Sequence, residues 1–323
     1  MASSRDIKNR IKSIGNTKKI TKAMEMVAAS KMRKAIEAVL KTRTYANLSW
    51  LTVLNLSRSA HSHNKALHRL LTPRKEIKKV GVILITSNRG LCGGFNTAII
   101  NKVYESMKKY QTMGEKAIVE VEFVLVGKKG AAIHRHGQTV VADFPKLDLA
   151  SEVNEIVPVA NLIIGGYLNG KYDKVMVAYT DFVSSLKQIP RVKQLLPIEI
   201  DQADEYLGIM GEDSRLGLDK EFVQHKEEKH SHIGKFHYDY IFEPSPEEVL
   251  NEMLPRLVEI QLYQALLESN ASEYSARMSA MRQATDAAGD MVSELTLSYN
   301  KARQAGITAE IAEISAGANA LAY

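Results

Sequence analysis

The chain has 323 residues, of which 45% are hydrophobic and 25% charged, and a formal net charge of +6. This composition is typical of a folded protein and excludes a wholly disordered chain. The single cysteine, Cys92, excludes an internal disulfide and favours a reducing compartment. No apolar run approaches about 18 residues and the first residues lack an apolar core, so we expect neither a membrane-spanning helix nor a secretory signal.

Residues 1–60 are predicted to form one long helix, because no proline interrupts the segment. Apolar or small residues recur in it at steps of three and four, which is typical of a coiled-coil seam broken at Lys18 and Glu25. The members of this series are Ile7, Ile11, Ile14, Thr21, Ala28, Met32, Ala35, Val39, Thr42, Ala46, Val53 and Leu56.

Residues 75–200 alternate between strand and helix patterns. Continuous apolar runs with β-branched residues predict strands buried on both faces, and helical periodicity lies between them. This alternation predicts an α/β domain with a parallel sheet. The predicted strands are 80–86, 119–126 and 175–180, and the predicted helices are 96–110 and 152–169.

Residues 244–323 are predicted to form a second long helix, in which Pro255 is the only proline after the first turn. Two such seams at opposite ends of a chain can bury each other as an antiparallel coiled coil. The alternative is two separate amphipathic helices on a globular core, and periodicity favours neither. The second seam contains Ile260, Tyr263, Leu267, Asn270, Tyr274, Met278, Met281, Ala288, Val292, Leu295, Tyr299 and Ala302.

Residues 201–240 are polar, charged and without clear periodicity, so we expect an insertion loop there. Its four histidines invite a zinc-site hypothesis, but they lack cysteine partners and the spacing of structural zinc ligands. A solvated loop is the favoured interpretation, and we predict no metal. These histidines are His225, His230, His232 and His237.

A glycine-rich segment, residues 88–96, follows the first predicted strand. Backbone N–H groups in such a turn can bind phosphate, but the glycines match neither a P-loop nor a dinucleotide fingerprint. We therefore favour a structural turn that presents Arg89 to a partner. Cys92 has no neighbouring histidine or carboxylate in the sequence to activate it, and we predict no catalytic residue and no cofactor.

The N-terminal helix is strongly basic, with ten Lys or Arg residues between Arg5 and Lys34. A basic face suggests an acidic partner, and a DNA-reading helix is one alternative. DNA-binding helices of this kind extend from a parallel coiled coil of two identical chains, whereas the helix expected to pair with this one lies in the same chain. We therefore expect no nucleic acid and favour a helix with one apolar and one cationic face.

Five segments together resemble the gamma subunits of F-type ATP synthase, in the same order and over nearly the whole chain. The segments are residues 20–34, 89–96, 273–286, 299–308 and 310–320. The resemblance implies a long antiparallel coiled coil of the terminal helices, with a Rossmann-like α/β domain inserted between them. It is to the bacterial type, with a longer insertion before the last helix.

The resemblance also implies a function, that of a rotor shaft without catalysis of its own. Such a shaft couples proton flow through the membrane c ring to ATP synthesis or hydrolysis in a hexamer of three alpha and three beta subunits. Epsilon and delta subunits are further expected partners. The implied location is peripheral, on the cytoplasmic face of the bacterial inner membrane. A non-rotary coiled-coil scaffold and an enzyme that uses the glycine-rich turn are the alternatives.

Site residues follow from the resemblance, position by position. The residues implied to contact beta subunits are Met24, Arg89, Arg303 and Gln304. Those implied to contact the c ring and epsilon at the foot are Lys31, Arg33, Lys34, Tyr240 and Glu243. Those implied to form an apical bearing inside the hexamer are Ile311, Ile314 and Leu321.

The insertion is longer than in the shortest members of that family. Plant relatives hold a redox cysteine pair in this region, but residues 201–240 contain no cysteine, which excludes a thiol switch of that kind. A mechanical latch and a surface loop remain as hypotheses, and the loop is favoured.

Overall fold

The computed structural model describes residues 4–62, 68–74, 76–113, 119–146, 153–198, 243 and 245–321. The described residues form two compact units. The smaller contains those up to Ala29 together with those from Arg277 onward, and the larger is Ser30–Ala276. The predicted insertion, residues 201–240, lies outside the described residues, as do its four histidines.

The helices and strands that the apolar patterns predict are present in that order, and the structure adds two strands that were not predicted, Thr139–Phe144 and Gln188–Leu196. The α-helices are α1 (Ser4–Ser62), α2 (Phe95–Met113), α3 (Val157–Leu168) and α4 (Pro246–Leu321). The strands are β1 (Lys79–Ile85), β2 (Glu120–Val126), β3 (Thr139–Phe144), β4 (Lys174–Phe182) and β5 (Gln188–Leu196). Short 3-10 helices lie at Lys128–His136 and Val153–Glu155.

The five strands form one mixed sheet in the order β3-β2-β1-β4-β5. β1 pairs in parallel with β2 and β4, and β2 pairs in parallel with β3, but β5 runs antiparallel to β4. The predicted parallel arrangement is therefore found for β1 to β4, whereas β5, which the sequence analysis did not predict, adds an antiparallel edge. A tight turn from Ser184 to Lys187 joins β4 to β5, with backbone hydrogen bonds of 3.0 and 3.3 Å, and only antiparallel neighbours can be joined so closely.

Both faces of the sheet are covered in the larger unit. Along β1 the side chains alternate between two apolar layers, because successive residues of a strand point to opposite faces. Val82 and Leu84 pack with residues of α2, whereas Ile83 and Ile85 pack with residues of α3 and α4. This burial on both faces explains why β1 is a continuous apolar run in the sequence.

The smaller unit is a pair of helical segments, the start of α1 and the end of α4. Thr21 contacts Thr285, and Lys18 lies beside Gly289, so the position along one helix rises as the other falls. The two segments are therefore antiparallel, as the seams predict. The buried seam residues there are Thr21, Ala28, Met281, Thr285 and Ala288.

The same helices also meet within the larger unit. The Lys31 ammonium lies 5.4 Å from the centre of the Tyr274 ring, and Ala35 packs in one cluster with Ala271. Each contact joins one predicted seam residue, Tyr274 or Ala35, to a residue next to a predicted seam position. The fold class is thus confirmed: an α/β domain with a mixed sheet, and two long terminal helices that pair antiparallel. The contacts between the two helices rule out the alternative of two unpaired helices.

Candidate functional site

The glycine-rich turn after β1 is held by its own side chains. Asn96 accepts a 3.0 Å hydrogen bond from the Ser87 backbone N–H at its side-chain carbonyl and donates to the Ser87 hydroxyl at 2.7 Å. It also donates to the Cys92 sulfur at 3.3 Å. Cys92 is buried, with 2% of its surface exposed. These contacts make the thiol a packing element of the turn.

The outward side of this turn presents two exposed side chains, Arg89 and Leu91. Leu91 has a φ of 64°, a left-handed conformation that costs energy for a residue with a β-carbon. Leu91 is nonetheless 60% exposed, so it gains little burial against the described parts of the chain in return. The N–H groups of Ser87 and Phe95 are bonded to Asn96 and to the Cys92 carbonyl. The turn is therefore built to present a surface, and those two donors are occupied.

Met24 lies on α1 in the smaller unit and is half-buried. Around it the helix exposes Ile20, Met26 and Val27, which are 59%, 59% and 56% exposed. Lys18, Lys19 and Lys22 are also exposed. The helix thus has an apolar seam and an outer surface that carries both cations and apolar side chains.

The last turns of α4 carry the residues predicted for beta contact and for the bearing. Ala302 is half-buried, and every described side chain from Arg303 to 318 is exposed. Ile311 and Ile314 are 59% and 73% exposed. The side chain of Leu321 lies outside the described residues. This stretch therefore has apolar surface that no described part of the chain covers.

The predicted foot residues differ in their exposure. Lys31 is half-buried against Tyr274, whereas Arg33 and Lys34 are exposed. Residues two apart on an α-helix point in nearly opposite directions, which explains why Lys31 and Arg33 do not share a surface. Glu243 is exposed, and Tyr240 lies outside the described residues.

One group of buried polar residues was not expected from the sequence. The Lys146 ammonium lies 2.7 Å from the Glu273 carboxylate, with side chains 2% and 9% exposed. Lys146 directly follows a proline after β3 and shares no periodic pattern with α4, so no local signal identified it. Glu273 directly precedes the seam residue Tyr274. A charged residue next to a seam position is the one local signal in the sequence that points to a buried charge there.

The part of the chain that the structure describes contains no group of three or more His, Cys, Asp or Glu side chains arranged to hold a metal ion. Among the described helices, none combines the length and the apolar character required to cross a bilayer.

Comparison with known proteins gives concordant results over the whole chain. A family model described as ATP synthase matches residues 3–321. The ATP synthase gamma chain of Legionella pneumophila (strain Corby) is 38% identical over 322 residues, which cover 99% of this chain and 100% of the relative. The gamma chain of Herpetosiphon aurantiacus is 41% identical over 328 residues, with 99% of each chain covered.

Solved structures with the same fold are also found. The central stalk and c-ring structure of the Tetrahymena thermophila mitochondrial ATP synthase contains a chain with a TM-score of 0.56 and 22% identity, covering 82% of this chain and 99% of that one. A chain of the Euglena gracilis mitochondrial enzyme has a TM-score of 0.59 and 17% identity, covering 98% and 94%. At these identities the likeness concerns the fold.

Proposed function

The chain belongs to the gamma-chain family of ATP synthase, the family of its central-stalk rotor subunits, and we propose that it couples proton flow through a membrane c ring to ATP synthesis or hydrolysis by rotation. The observation that carries this proposal is the match to gamma chains over 99% of the chain at 38% identity. The antiparallel seam of α1 and α4 supports it, because paired helices resist twisting better than one helix does.

We propose the division of the chain as 1–60 and 244–323 for the coiled-coil helices, 75–200 for the Rossmann-like domain and 201–240 for an insertion loop. Membership of the family makes the chain part of an ATP synthase complex. The finer partners proposed are three alpha and three beta subunits around the coiled coil, with epsilon, delta and the c ring. Its proposed location is peripheral, on the cytoplasmic face of a bacterial inner membrane.

The proposed beta contacts are supported by exposure and chemistry. Arg89, Arg303 and Gln304 are exposed and carry hydrogen-bond donors, so they can bind carboxylates or carbonyls of a partner. Exposed charge pairs contribute about 0–1 kcal/mol each, which suits contacts that must form and break in each turn. Met24 is half-buried, and we assign it to packing at the border of the seam and the partner surface.

At the foot, the proposed contacts rest on Arg33, Lys34 and Glu243, all exposed and charged. Lys31 supports this surface indirectly, since its ammonium lies against Tyr274. Tyr240 is retained as a proposed contact. The polar loops of a c ring are suited to such charged side chains.

We propose that nucleotide chemistry takes place in partner subunits and that this chain is non-catalytic. The contacts of the turn at residues 88–96 support this, because the Ser87 N–H donates to Asn96 and the Asn96 amide donates to the Cys92 sulfur, so these two donors are not available to a phosphate. An enzyme that used this turn would bind nucleotide as an isolated chain, which equilibrium dialysis with ATP would reveal.

A subunit inventory tests the proposal directly. The full chain is tagged and purified from membranes of its source in mild detergent. Three alpha and three beta subunits should co-purify with each copy, together with epsilon, delta and c subunits. A non-rotary scaffold predicts no such ratio. Recovery of the chain without alpha and beta subunits would overturn the proposal.

A further inference from the structure

A buried ion pair joins the sheet of the larger unit to α4. Lys146, two residues after β3, lies 2.7 Å from Glu273. Removing two charges from water costs several kcal/mol, and a buried pair is often no more stable than a pair of apolar side chains of similar volume. Stability alone therefore does not explain why this position holds charges.

Lys146 is fixed at its other atoms as well. Its backbone carbonyl accepts a hydrogen bond from the Asn88 side-chain amide, and its ammonium lies 5.8 Å from the centre of the Phe95 ring. Asn88 belongs to the turn after β1, and Phe95 begins α2. Asn88 in turn accepts a 3.4 Å hydrogen bond from the Lys128 N–H. The ion pair thus connects α4 to the end of β1, the end of β3 and the start of α2.

Two hydrogen bonds lie beside the pair along one turn of α4. The Ser272 hydroxyl donates to the Thr180 carbonyl at 3.1 Å, and the Ser275 hydroxyl donates to the Ser185 carbonyl at 2.8 Å. Together with the ion pair they form what is here called the polar belt, which consists of Lys146, Thr180, Ser185, Ser272, Glu273 and Ser275.

We infer that the polar belt is the torque-bearing connection between the α/β domain and α4, and that Lys146 and Glu273 are positioning residues for coupling. This inference rests on the proposed rotor function. Apolar contacts have little directional preference, so a sheet held on a helix by them alone can slip around it under load. Hydrogen bonds, including the one between the Lys146 ammonium and the Glu273 carboxylate, weaken steeply as their distance and angle change, so the belt opposes such slippage.

The test replaces the pair by apolar side chains of similar volume, Lys146→Met with Glu273→Leu, in the full chain within the complete complex. Such replacements of a buried pair often leave stability unchanged or raise it. The measured quantity is the number of protons pumped per ATP hydrolysed, in vesicles that contain the purified complex. We expect this ratio to fall about threefold, within the range by which residues on a coupling path change coupling, while ATP hydrolysis and subunit content stay unchanged.

The matched control is an exposed ion pair of equal length in the same unit, Lys79 and Glu120, which lie 2.7 Å apart with 43% and 58% of their side chains exposed. The Lys79→Met/Glu120→Gln variant should keep the parental ratio. An unchanged ratio in the Lys146→Met/Glu273→Leu variant would overturn the inference.

Two further outcomes have defined meanings. If the Lys146→Met/Glu273→Leu variant fails to assemble, the Ser272→Ala/Ser275→Ala variant tests the inference instead, because it removes only two hydroxyl groups of the polar belt. A reduced ratio supports the inference and an unchanged ratio contradicts it. If the complex with the parental chain pumps no protons on ATP hydrolysis, the proposed function itself is contradicted. This outcome differs from one in which the parental complex pumps and the variant keeps the same ratio, which contradicts only the inference about the polar belt.

Discussion

The hydroxyl groups of Thr21 and Thr285 lie 2.8 Å apart in the buried seam between α1 and α4. Thr285 also lies 2.8 Å from the Met281 carbonyl, and Thr21 lies 3.0 Å from the Lys18 carbonyl. Each hydroxyl has one proton, so two of these three contacts are hydrogen bonds at any time. A polar pair among the apolar seam residues of the smaller unit favours one register, because any shift of one helix along the other separates the two groups.

Replacement of these hydroxyls by methyl groups should reveal coupling between them. Each of Thr21→Val and Thr285→Val should lower the free energy of unfolding by about 0.5–1.5 kcal/mol, the net contribution of a hydrogen bond. The double variant should lose less than the sum, because either single change already removes the shared contact. Urea unfolding of the full chain gives these values. Thr296→Val is the control, since Thr296 is exposed on the same helix and its hydroxyl donates to the Val292 carbonyl one turn away. Strict additivity of the Thr21 and Thr285 changes would contradict the prediction.

Two adjacent glycines of α3 should respond oppositely to alanine. A β-carbon at Gly166 would lie 2.6 Å from the ring of Tyr172, whose exposed fraction is 1%, whereas a β-carbon at Gly165 would meet no atom within 4 Å. Gly166→Ala should therefore lower the free energy of unfolding by about 1–3 kcal/mol through overpacking. Gly165→Ala should raise it by up to about 1 kcal/mol through helix propensity. Thermal and urea unfolding check both, and equal effects would contradict this account.

The long helices and central strands are predictable because their signals are local. Every residue of β1 from Val80 to Ile85 is buried, so the strand is a continuous apolar run. β5 is only half-buried over most of its length and carries Arg191 and Lys193, so it has no such run. Its place in the sheet depends on the turn that precedes it, which the apolar pattern does not report.

The contacts within the candidate site were less predictable, because the partners are distant in sequence. Lys146 and Glu273 are separated by 127 residues, and Thr21 and Thr285 by 264. Thr285 lies four residues after Met281 and three before Ala288, so the seam spacing identifies its position even though it is polar. No comparable spacing points to Lys146, which is placed by the sheet.

The Glu122 carboxylate should make the larger unit sensitive to acid. It lies 2.7 Å from the Lys171 ammonium and accepts a 2.9 Å hydrogen bond from the Tyr172 hydroxyl. Burial acts to raise the pKa of Glu122, but these hydrogen bonds outweigh it and hold that pKa below its ordinary value of 4.5. A lowered folded-state pKa contributes stability that is present above the ordinary value and lost as pH falls through the folded value.

The prediction is that Glu122→Gln is less stable than the parent at neutral pH and that the difference shrinks as pH falls below 4.5. Urea midpoints over a series of acidic buffers measure it. Glu76→Gln is the control, because Glu76 is 76% exposed and paired only at the surface with Lys78. A difference between parent and Glu122→Gln that does not vary with pH would show that the carboxylate does not carry this dependence.

Arg303 tests the proposed contact with beta subunits. In the complete complex, Arg303→Ala should slow ATP turnover about two- to fivefold, since an exposed charged contact contributes about 0–1 kcal/mol. The nucleotide affinity of isolated beta subunits should stay unchanged, since this chain is not part of them. Lys301→Ala is the matched control on the same exposed stretch of α4. Equal slowing by both variants would indicate a general charge effect.

The end of α4 should behave as a low-friction bearing within the proposed hexamer. Ile311 and Ile314 offer exposed apolar surface with few directional bonds, so a sleeve around them meets only shallow energy minima. Removal of residues 309–323 should therefore leave most of the torque measured on single complexes. Ile311→Asn with Ile314→Asn keeps the helix but adds hydrogen-bonding amides, and it should slow rotation more than the truncation does. A large loss of torque on truncation alone would contradict this prediction. It would show that the end of α4 transmits torque, whereas a surface that only guides rotation transmits little torque.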